Sequence, residues 1–235
     1  MTVFRLSPEV SAAFPTAVIA LVTAEGLRGH EPWPEVGAAL ADIEQAVASG
    51  QWAPADETDP RIASWHDAYR SFGTNPRRER PSVDALGRRL VRKGTLPRIS
   101  SAVDAYNTVS IRHGLPAGAF DLDALSGDVV IRFATGSEEF VPLGEPDTVE
   151  NPKAGEVIYE DGSSVLTRHW NHRDAHRTRV TEESVRVVFL LETVDADAYR
   201  GLLERAAQNL RDWLTPHASS TTVHFLSGEN TEAKV

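Results

Sequence analysis

Residues 102–121, AVDAYNTVSIRHGLPAGAFD, are the stretch of sequence that decides the fold. Apolar and small residues at helical spacing predict a helix over Ala102–His113, with Ser100 or Ser101 as its N-cap. Gly114 follows the last helical residue, where glycine commonly ends a helix in the left-handed conformation. A helix with a defined start and stop therefore leads directly into the apolar segment 115–121.

Three polar residues recur along this predicted helix at spacings of three. Asp104, Asn107 and Ser110 lie on one helical side because residues three apart are neighbours on a helix surface. Buried, they would form a hydrogen-bonded polar cluster that supports the fold. Facing a cleft, they would hydrogen-bond a ligand. The residue types alone leave both interpretations open.

A basic segment precedes this helix. Residues 77–98 contain eight Arg or Lys residues against Glu79 and Asp84, whereas the whole chain carries a net charge of −10. Such a run is typical of a solvated helix face, and it is equally compatible with an RNA-backbone contact. The candidate RNA-binding residues are Arg77, Arg78, Arg88, Arg89, Arg92, Lys93 and Arg98.

Composition narrows the classes of function. The chain has 235 residues, of which 41% are hydrophobic and 25% charged, and it contains no cysteine. These values are ordinary for a globular protein, and they exclude disulfides and thiolate chemistry. The chain has no membrane-span-length apolar run and no signal-peptide pattern, so we expect a cytoplasmic protein without a membrane partner. The acidic net charge disfavours broad DNA binding.

The order of predicted elements indicates an α+β fold. Helices are expected over residues 35–49, 62–72 and 83–92, whereas residues 128–192 are typical of strands separated by turns. A long amphipathic helix over 195–214 precedes a last strand at 221–226. We expect one effective domain: an N-terminal part, 1–60, packed on a core, 61–226, with a frayed tail, 227–235.

The densest polar constellation is residues 168–178, RHWNHRDAHRT. Its histidine spacing invites a metal interpretation, but arginines at 168, 173, 177 and 179 would repel a cation, so no metal is predicted. A solvated, charge-balanced loop is one alternative. The other is a polar pocket wall in which Arg and His donors hold a carboxylate or phosphate, and Asp174 accepts from an amine. Common nucleotide, serine-hydrolase and zinc-protease motifs are absent, and no cofactor is predicted.

The chain resembles the B3/B4 domain of the bacterial phenylalanyl-tRNA synthetase β subunit, and in particular free-standing relatives of that domain. Residues 102–109, AVDAYNTV, and 114–121, GLPAGAFD, are in register with the family patterns Val-Val-Asp-x-Thr-Asn-Tyr-Val and Gly-Gln-Pro-Leu-His-Ala-Phe-Asp. The strand layout from residue 128 to 167 and the segments 69–73 and 170–173 extend the resemblance to about residues 60–195.

This resemblance implies an editing site that hydrolyses the ester of a wrongly attached amino acid on tRNA. Such a site needs no nucleophilic side chain, because a positioned water and polar groups can suffice. Asn107 matches a polar pocket residue of the family, whereas Gly118 stands where the family has a histidine. Segment 168–172 aligns with the small, glycine-rich pocket wall of the synthetase, so a bulkier and more cationic pocket is expected here.

The leading hypothesis is therefore a trans-acting deacylase that meets the acceptor end of a tRNA. The alternatives are a non-catalytic module that binds a carboxylate-bearing metabolite or an RNA end, and a hydrolase of a small ester or amide. The oligomeric state stays open. The candidate catalytic residues are Asn107, His172, Arg173 and Asp174. The candidate substrate-binding residues are Asp104, Ser110, Gly118, His169, Trp170 and Asn171.

Overall fold

Strand β2, Val18–Glu25, lies at the centre of the fold and contributes to two cores. Successive side chains of a strand point to opposite faces, and both faces of β2 are buried. Ile19 and Leu21 pack in a core between two sheets, whereas Val18, Ala20 and Val22 pack against helices. The neighbouring strand β8, Arg186–Thr193, alternates in the same way. The result is a three-layer arrangement of sheet, sheet and helices.

The computed structural model describes residues 1–235. It contains a six-stranded sheet of order β10-β1-β4-β5-β6-β7 and a four-stranded sheet of order β3-β8-β2-β9. The remaining strands are β1 Val3–Leu6, β3 Ala117–Asp121, β4 Val129–Phe133, β5 Val157–Glu160, β6 Val165–Arg168, β7 Arg173–Asp174, β9 Ser220–Ser227 and β10 Glu232–Lys234. The helices are α1 Pro8–Ala13, α2 Pro34–Ala48, α3 Pro60–Ser71, α4 Ser82–Lys93, α5 Ser101–His113 and α6 Ala196–Leu214.

These elements confirm the predicted α+β class. Helix α5 begins at the predicted cap, because the Ser100 side chain accepts from the Val103 backbone N–H, and Gly114 ends it with φ +65°. Helix α6 places Leu203, Leu210 and other apolar residues on the four-stranded sheet. No helix combines the length and the apolar character that crossing a membrane requires.

Two sequence-based expectations need correction: a strand over residues 139–143, within the strand-rich region 128–192, and a frayed tail over 227–235. Residues 139–143 form only isolated bridges, Phe140 to Glu150 and Pro142 to Ala175, rather than a strand. The tail was expected to fray, yet Glu232–Lys234 form strand β10, antiparallel to β1, because residue 233 is apolar enough to join the core between the sheets. Segment 117–121, whose two small residues flank a glycine, is strand β3 at the edge of the four-stranded sheet.

Candidate active site between the two sheets

A small cavity of about 40 Å³, lined by both apolar and polar side chains, lies at the open edge between the two sheets; we call it the carboxyl cavity. The six-stranded sheet contributes Tyr159, Thr167 and Asp174, and the four-stranded sheet contributes Gly118 and Glu192. The first residue of α4 and the turn after β6 close the cavity, through Ser82, Trp170, Asn171 and His172. Five segments distant in the sequence therefore meet at one site.

Glu192 faces the other sheet because it follows Val188 and Leu190 at the two-residue period of β8. Its side chain is held within the chain, since the Tyr159 hydroxyl donates to Oε1 and Asn171 Nδ2 donates to Oε2 at 2.6 Å. Tyr69 in turn donates to Asn171 Oδ1 at 2.8 Å. Burial raises the pKa of Glu192 to about 7 despite these donors.

Asp174 is the less constrained of the two carboxyl groups. It lies opposite Thr167 in the β6–β7 pair, and Thr167 Oγ1 donates to its Oδ1 at 2.8 Å. No group of the chain donates to its Oδ2, which a Cβ built on Gly118 would approach to 3.7 Å. Burial raises the pKa of Asp174 to about 6. The cavity thus contains one carboxyl oxygen that is free to interact with an occupant.

The turn that closes the cavity has an unusual backbone. His169 and Trp170 have φ values of +48° and +69°, in the left-handed region that non-glycine residues seldom adopt. Such strain persists only where packing enforces it. Trp170 is 1% exposed and packs edge-on against Trp65 and Phe14, which supplies that packing. Its buried Nε1 has no well-aligned hydrogen-bond partner, although it lies close enough to Glu192 and Tyr159 to oppose the rise of their pKa values.

A larger opening, the outer cleft, meets the carboxyl cavity at Asp174. It has a volume of about 490 Å³, and Val103, Tyr106 and Ala119 form part of its apolar wall. Ile99 and Leu143, which are 57% and 47% exposed, also line it. Arg179, Glu182 and Glu183 line the cleft as well, so apolar and charged side chains together surround the approach to Asp174.

The structure places Asp104, Asn107 and Ser110 outside both openings, contrary to the prediction for these residues. Ser110 donates to Leu115 O at 2.7 Å, and Asp104 Oδ1 accepts from Ile99 N at 3.0 Å. These two side chains stabilise the ends of α5. Asn107 follows Tyr106 and is rotated about 100° from the face that lines the cleft.

The cationic pocket wall expected from residues 168–179 is also wrong. Arg168 pairs with Glu150 and Glu156, and Arg177 pairs with Asp161. Arg173 pairs with Glu145 and Glu150, and Arg179 donates to His176 O at 2.7 Å. Carboxylates distant in the sequence thus occupy Arg168, Arg173 and Arg177, whereas Arg179 is held by a backbone carbonyl and lines the outer cleft. The ionisable side chains of the carboxyl cavity include Asp174 and Glu192 but no arginine.

His169 and Arg173 line a separate polar cleft of about 300 Å³ that does not contain Asp174. His169 Nδ1 lies 2.9 Å from Thr74 Oγ1, and burial lowers the pKa of His169 to about 4. His172 lines both this polar cleft and the carboxyl cavity. Its Nδ1 donates to Arg80 O at 2.8 Å, and its Nε2 lies 2.9 Å from Glu79. No group of three or more His, Asp or Glu side chains is placed to hold a metal ion.

The basic segment divides into paired and unpaired residues. Arg80 and Arg88 bind buried Asp84, and Arg98 binds Glu44. The other five basic residues are exposed and have no carboxylate partner; we call them the basic cluster. Its members are Arg77, Arg78, Arg89, Arg92 and Lys93. Helix α4 therefore begins at the carboxyl cavity, at Ser82, and carries unpaired positive charge towards its other end.

The structure brings together five of the predicted site residues and adds four polar residues that the sequence-based reasoning missed. The five are Gly118, Trp170, Asn171, His172 and Asp174. The missed residues are Ser82, Tyr159, Thr167 and Glu192. Glu192 had a recognisable signal, because it follows the apolar run 187–191, where an ionisable residue is costly unless it is hydrogen-bonded. Tyr159 had no comparable signal.

Comparison with known proteins gives matches to one family. The family described as the B3/4 domain matches residues 64–209. Among curated proteins, the chain is 37% identical over 109 residues to the phenylalanine–tRNA ligase β subunit of Anaeromyxobacter dehalogenans. It is 36% identical over 85 residues to that of Fusobacterium nucleatum. These matches cover 44% and 36% of this chain but only 14% and 10% of the two subunits.

A solved structure, an N-terminal fragment of the phenylalanyl-tRNA synthetase β subunit from Pyrococcus horikoshii, aligns with 94% of this chain and 49% of its own. Its sequence identity is 14% and the TM-score is 0.48. The family match extends from α3 to α6 and includes every residue of the carboxyl cavity. The chain therefore belongs to the B3/4 domain family and is related to the β subunit of phenylalanine–tRNA ligase.

Proposed function

We propose that this protein hydrolyses the ester bond between an amino acid and a tRNA. The observation that carries the proposal is the position of Asp174, where the outer cleft meets the carboxyl cavity. One of its carboxyl oxygens is unpartnered, and its pKa is about 6. Relatives of the chain are β subunits of phenylalanine–tRNA ligase, whose name concerns the joining of an amino acid to tRNA.

Asp174 has the properties of a general base at neutral pH. A base works best when its pKa lies near the operating pH, because it is then largely ionised and still accepts a proton readily. In the proposed reaction, Asp174 Oδ2 takes a proton from a water whose oxygen attacks the ester carbonyl carbon. The tetrahedral intermediate then expels the ribose oxygen, which takes the proton from Asp174. The products are a free amino acid and an uncharged tRNA.

Glu192 is unsuited to the same role because Tyr159 and Asn171 already donate to its two oxygens. In this proposal Glu192 supplies negative charge and fixes the positions of its two donors. Asn107 has no direct role, since it lies outside both openings. Arg173 is held by glutamates and has no contact with the ester, whereas His172 connects the cavity wall to the backbone of Arg80.

The basic cluster provides the contact with the tRNA backbone. Arg89 and Arg92 lie seven and ten residues after Ser82 on α4, about 10 and 15 Å along the helix axis. A tRNA acceptor end whose terminal ester reaches the cavity edge can therefore place its phosphates near these side chains. Because these residues are exposed and unpaired, they can exchange counterions for phosphates at little cost.

The experiment that tests the proposal is to incubate the protein with a panel of mischarged tRNAs. We expect release of amino acid from at least one of them above the buffer rate. Asp174→Asn should lower that release by about 100-fold or more, since general-base catalysis contributes about 10²–10⁴-fold. Asp212→Asn, an exposed carboxylate on α6, is the matched control and should retain the wild-type rate. No release from the whole panel would refute the proposed function.

A non-catalytic binding module is the second candidate. The observation that favours it is a continuous series of hydrogen bonds from Tyr69 through Asn171 and Glu192 to Tyr159. Such a series is typical of a polar network that supports the fold. A ligand of such a module would raise the unfolding temperature without being consumed. Stabilisation by aminoacyl-tRNA together with no release of amino acid would establish the module and exclude the hydrolase.

A further inference from the structure

The carboxyl cavity is too small for most amino-acid side chains. One water needs about 10–15 Å³ of cavity volume, so a volume of about 40 Å³ holds about three or four water-sized groups. An aromatic ring or a branched aliphatic side chain exceeds that space, whereas the outer cleft can hold either one. The cavity is therefore matched to a small polar group attached to a larger body in the cleft.

The lining of the cavity favours a cationic occupant. Asp174 and Glu192 both face it, and Asp174 Oδ2 has no donor within the chain. The ring nitrogens of His172 are engaged by Arg80 O and Glu79, outside the cavity. Arg168, Arg173 and Arg177 are bound to other carboxylates, and Arg179 in the outer cleft donates to His176 O. Glu192 is buried and Asp174 half-buried, and neither has a cationic partner in the chain, so a cationic occupant would stabilise their ionised forms.

The cavity also offers a hydrogen-bond donor, Trp170 Nε1, which lies beside Glu192 and Tyr159 without a well-aligned partner. Trp170 lines the cavity and is 1% exposed. An indole N–H can only donate. An α-aminoacyl group carries an ammonium donor and a carbonyl acceptor on adjacent carbon atoms. This combination fits a cavity with acceptors at Asp174 and Glu192 and a donor at Trp170.

We propose that the carboxyl cavity binds the protonated α-amino group of the aminoacyl ester, and that Gly118 keeps the space for it open. The identity of the ester rests on the proposed function, but binding of the amine is measurable without it. The ammonium donates to one lone pair of Asp174 Oδ2 and lies beside Glu192, which leaves the second lone pair of Oδ2 for the attacking water, while the carbonyl oxygen lies towards Trp170 Nε1. The side chain of the amino acid occupies the outer cleft. An aminoacyl group with an acylated nitrogen is excluded because it lacks both the charge and the small size.

Gly118 determines this specificity through its missing side chain. A Cβ at this position would have Asp174 Oδ2, at 3.7 Å, as its nearest neighbour, which is an ordinary contact. Alanine is therefore compatible with the fold. Its methyl group would nevertheless occupy the space that the ammonium requires. Gly37→Ala on α2, where nothing lies within 4 Å of the added Cβ, is the matched control.

The first test measures binding of L-phenylalaninamide and N-acetyl-L-phenylalaninamide by isothermal titration calorimetry. Hydrogen bonds to charged groups contribute about 1.5–3 kcal/mol, so we expect the acetylated compound to bind at least about tenfold more weakly. Gly118→Ala and Asp174→Asn should each weaken the free amine to a similar degree, and Gly37→Ala should not. Equal affinities for the two compounds, or no binding of either, would overturn the inference.

The second test separates this inference from the proposed function. It compares release of the same amino acid from one tRNA with a free or an N-acetylated amino group. Release of the free form alone supports both proposals. Equal release of both forms keeps the deacylase and refutes the ammonium site. Binding of L-phenylalaninamide as expected, without release from any tRNA, keeps the ammonium site and refutes the deacylase.

Discussion

Replacing Asp174 by Asn should make the protein more stable at alkaline pH while it abolishes the proposed activity. Asparagine keeps the hydrogen bond from Thr167, because its side-chain oxygen accepts as Asp174 Oδ1 does. It removes a negative charge from a half-buried position between two sheets. The pKa of Asp174 is raised by burial from 3.8 to about 6, so the folded protein disfavours the ionised carboxylate.

The sign and size of the effect follow from proton linkage. Between pH 4 and pH 6 the folded wild type binds more protons than the unfolded chain, so its stability falls as pH rises through this window. A shift of about two pKa units corresponds to about 3 kcal/mol once both states are ionised. Allowing for partial solvent exposure, we expect Asp174→Asn to gain about 2 to 3 kcal/mol at pH 8 and about 0.5 kcal/mol at pH 4.

The assay is urea unfolding followed by tryptophan fluorescence, at several pH values from 4 to 8. The five tryptophans include Trp65 and Trp170, which pack beside the cavity. At pH 8 the gain corresponds to about 5–10 °C in unfolding temperature for a chain of this size. Asp212→Asn should differ from wild type by less than about 0.5 kcal/mol throughout. A difference for Asp174→Asn that does not change with pH, or a loss of stability at pH 8, would refute the reasoning.

Two further predictions concern helix α4. Replacing Arg89, Arg92 and Lys93 by Gln should weaken tRNA binding and reduce the slope of log affinity against log salt by about 2 to 3, as measured by fluorescence anisotropy. The same replacement of three exposed arginines on α6 is the control and should leave both quantities unchanged; these are Arg200, Arg205 and Arg211. Asp84→Asn should destabilise the protein by about 2–4 kcal/mol in urea unfolding, because it weakens the buried contacts with His66, Arg80 and Arg88. A loss below about 1 kcal/mol would show that these contacts do not anchor α4.

Local patterns in the sequence were sufficient to predict the five longer helices, α2 to α6, and the α+β class, whereas the six-residue helix α1 was not predicted. Helix α5 illustrates why, because its cap at Ser100 and its stop at Gly114 are decided by residues next to it in the chain. Strand β10 was not predicted, since three residues become a strand only through pairing with β1, more than 220 positions away. Long-range pairing leaves no periodic signal in so short a segment.

The site was predictable only in part for the same physical reason. Asp174 and Gly118 were identified as candidates, but their proximity depends on how the edges of two sheets meet. The charge of the pocket was predicted with the wrong sign because the glutamates that bind Arg168 and Arg173 lie 12 to 28 residues away. Counting arginines within a segment could not show that carboxylates from another segment would occupy them.

The measurement that tests the central claim most directly is the pH dependence of amino-acid release from a mischarged tRNA. The titratable groups facing Asp174 are Tyr106 from α5, Tyr159 from β5, His172 from the turn, Glu192 from β8, and Arg179, Glu182 and Glu183 in the outer cleft. With Asp174 as the base, the enzymatic rate should rise about tenfold per pH unit below pH 6 and level off above it. Asp174→Asn should lose this profile together with the activity. The absence of release above buffer, or an unchanged profile in Asp174→Asn, would contradict the account.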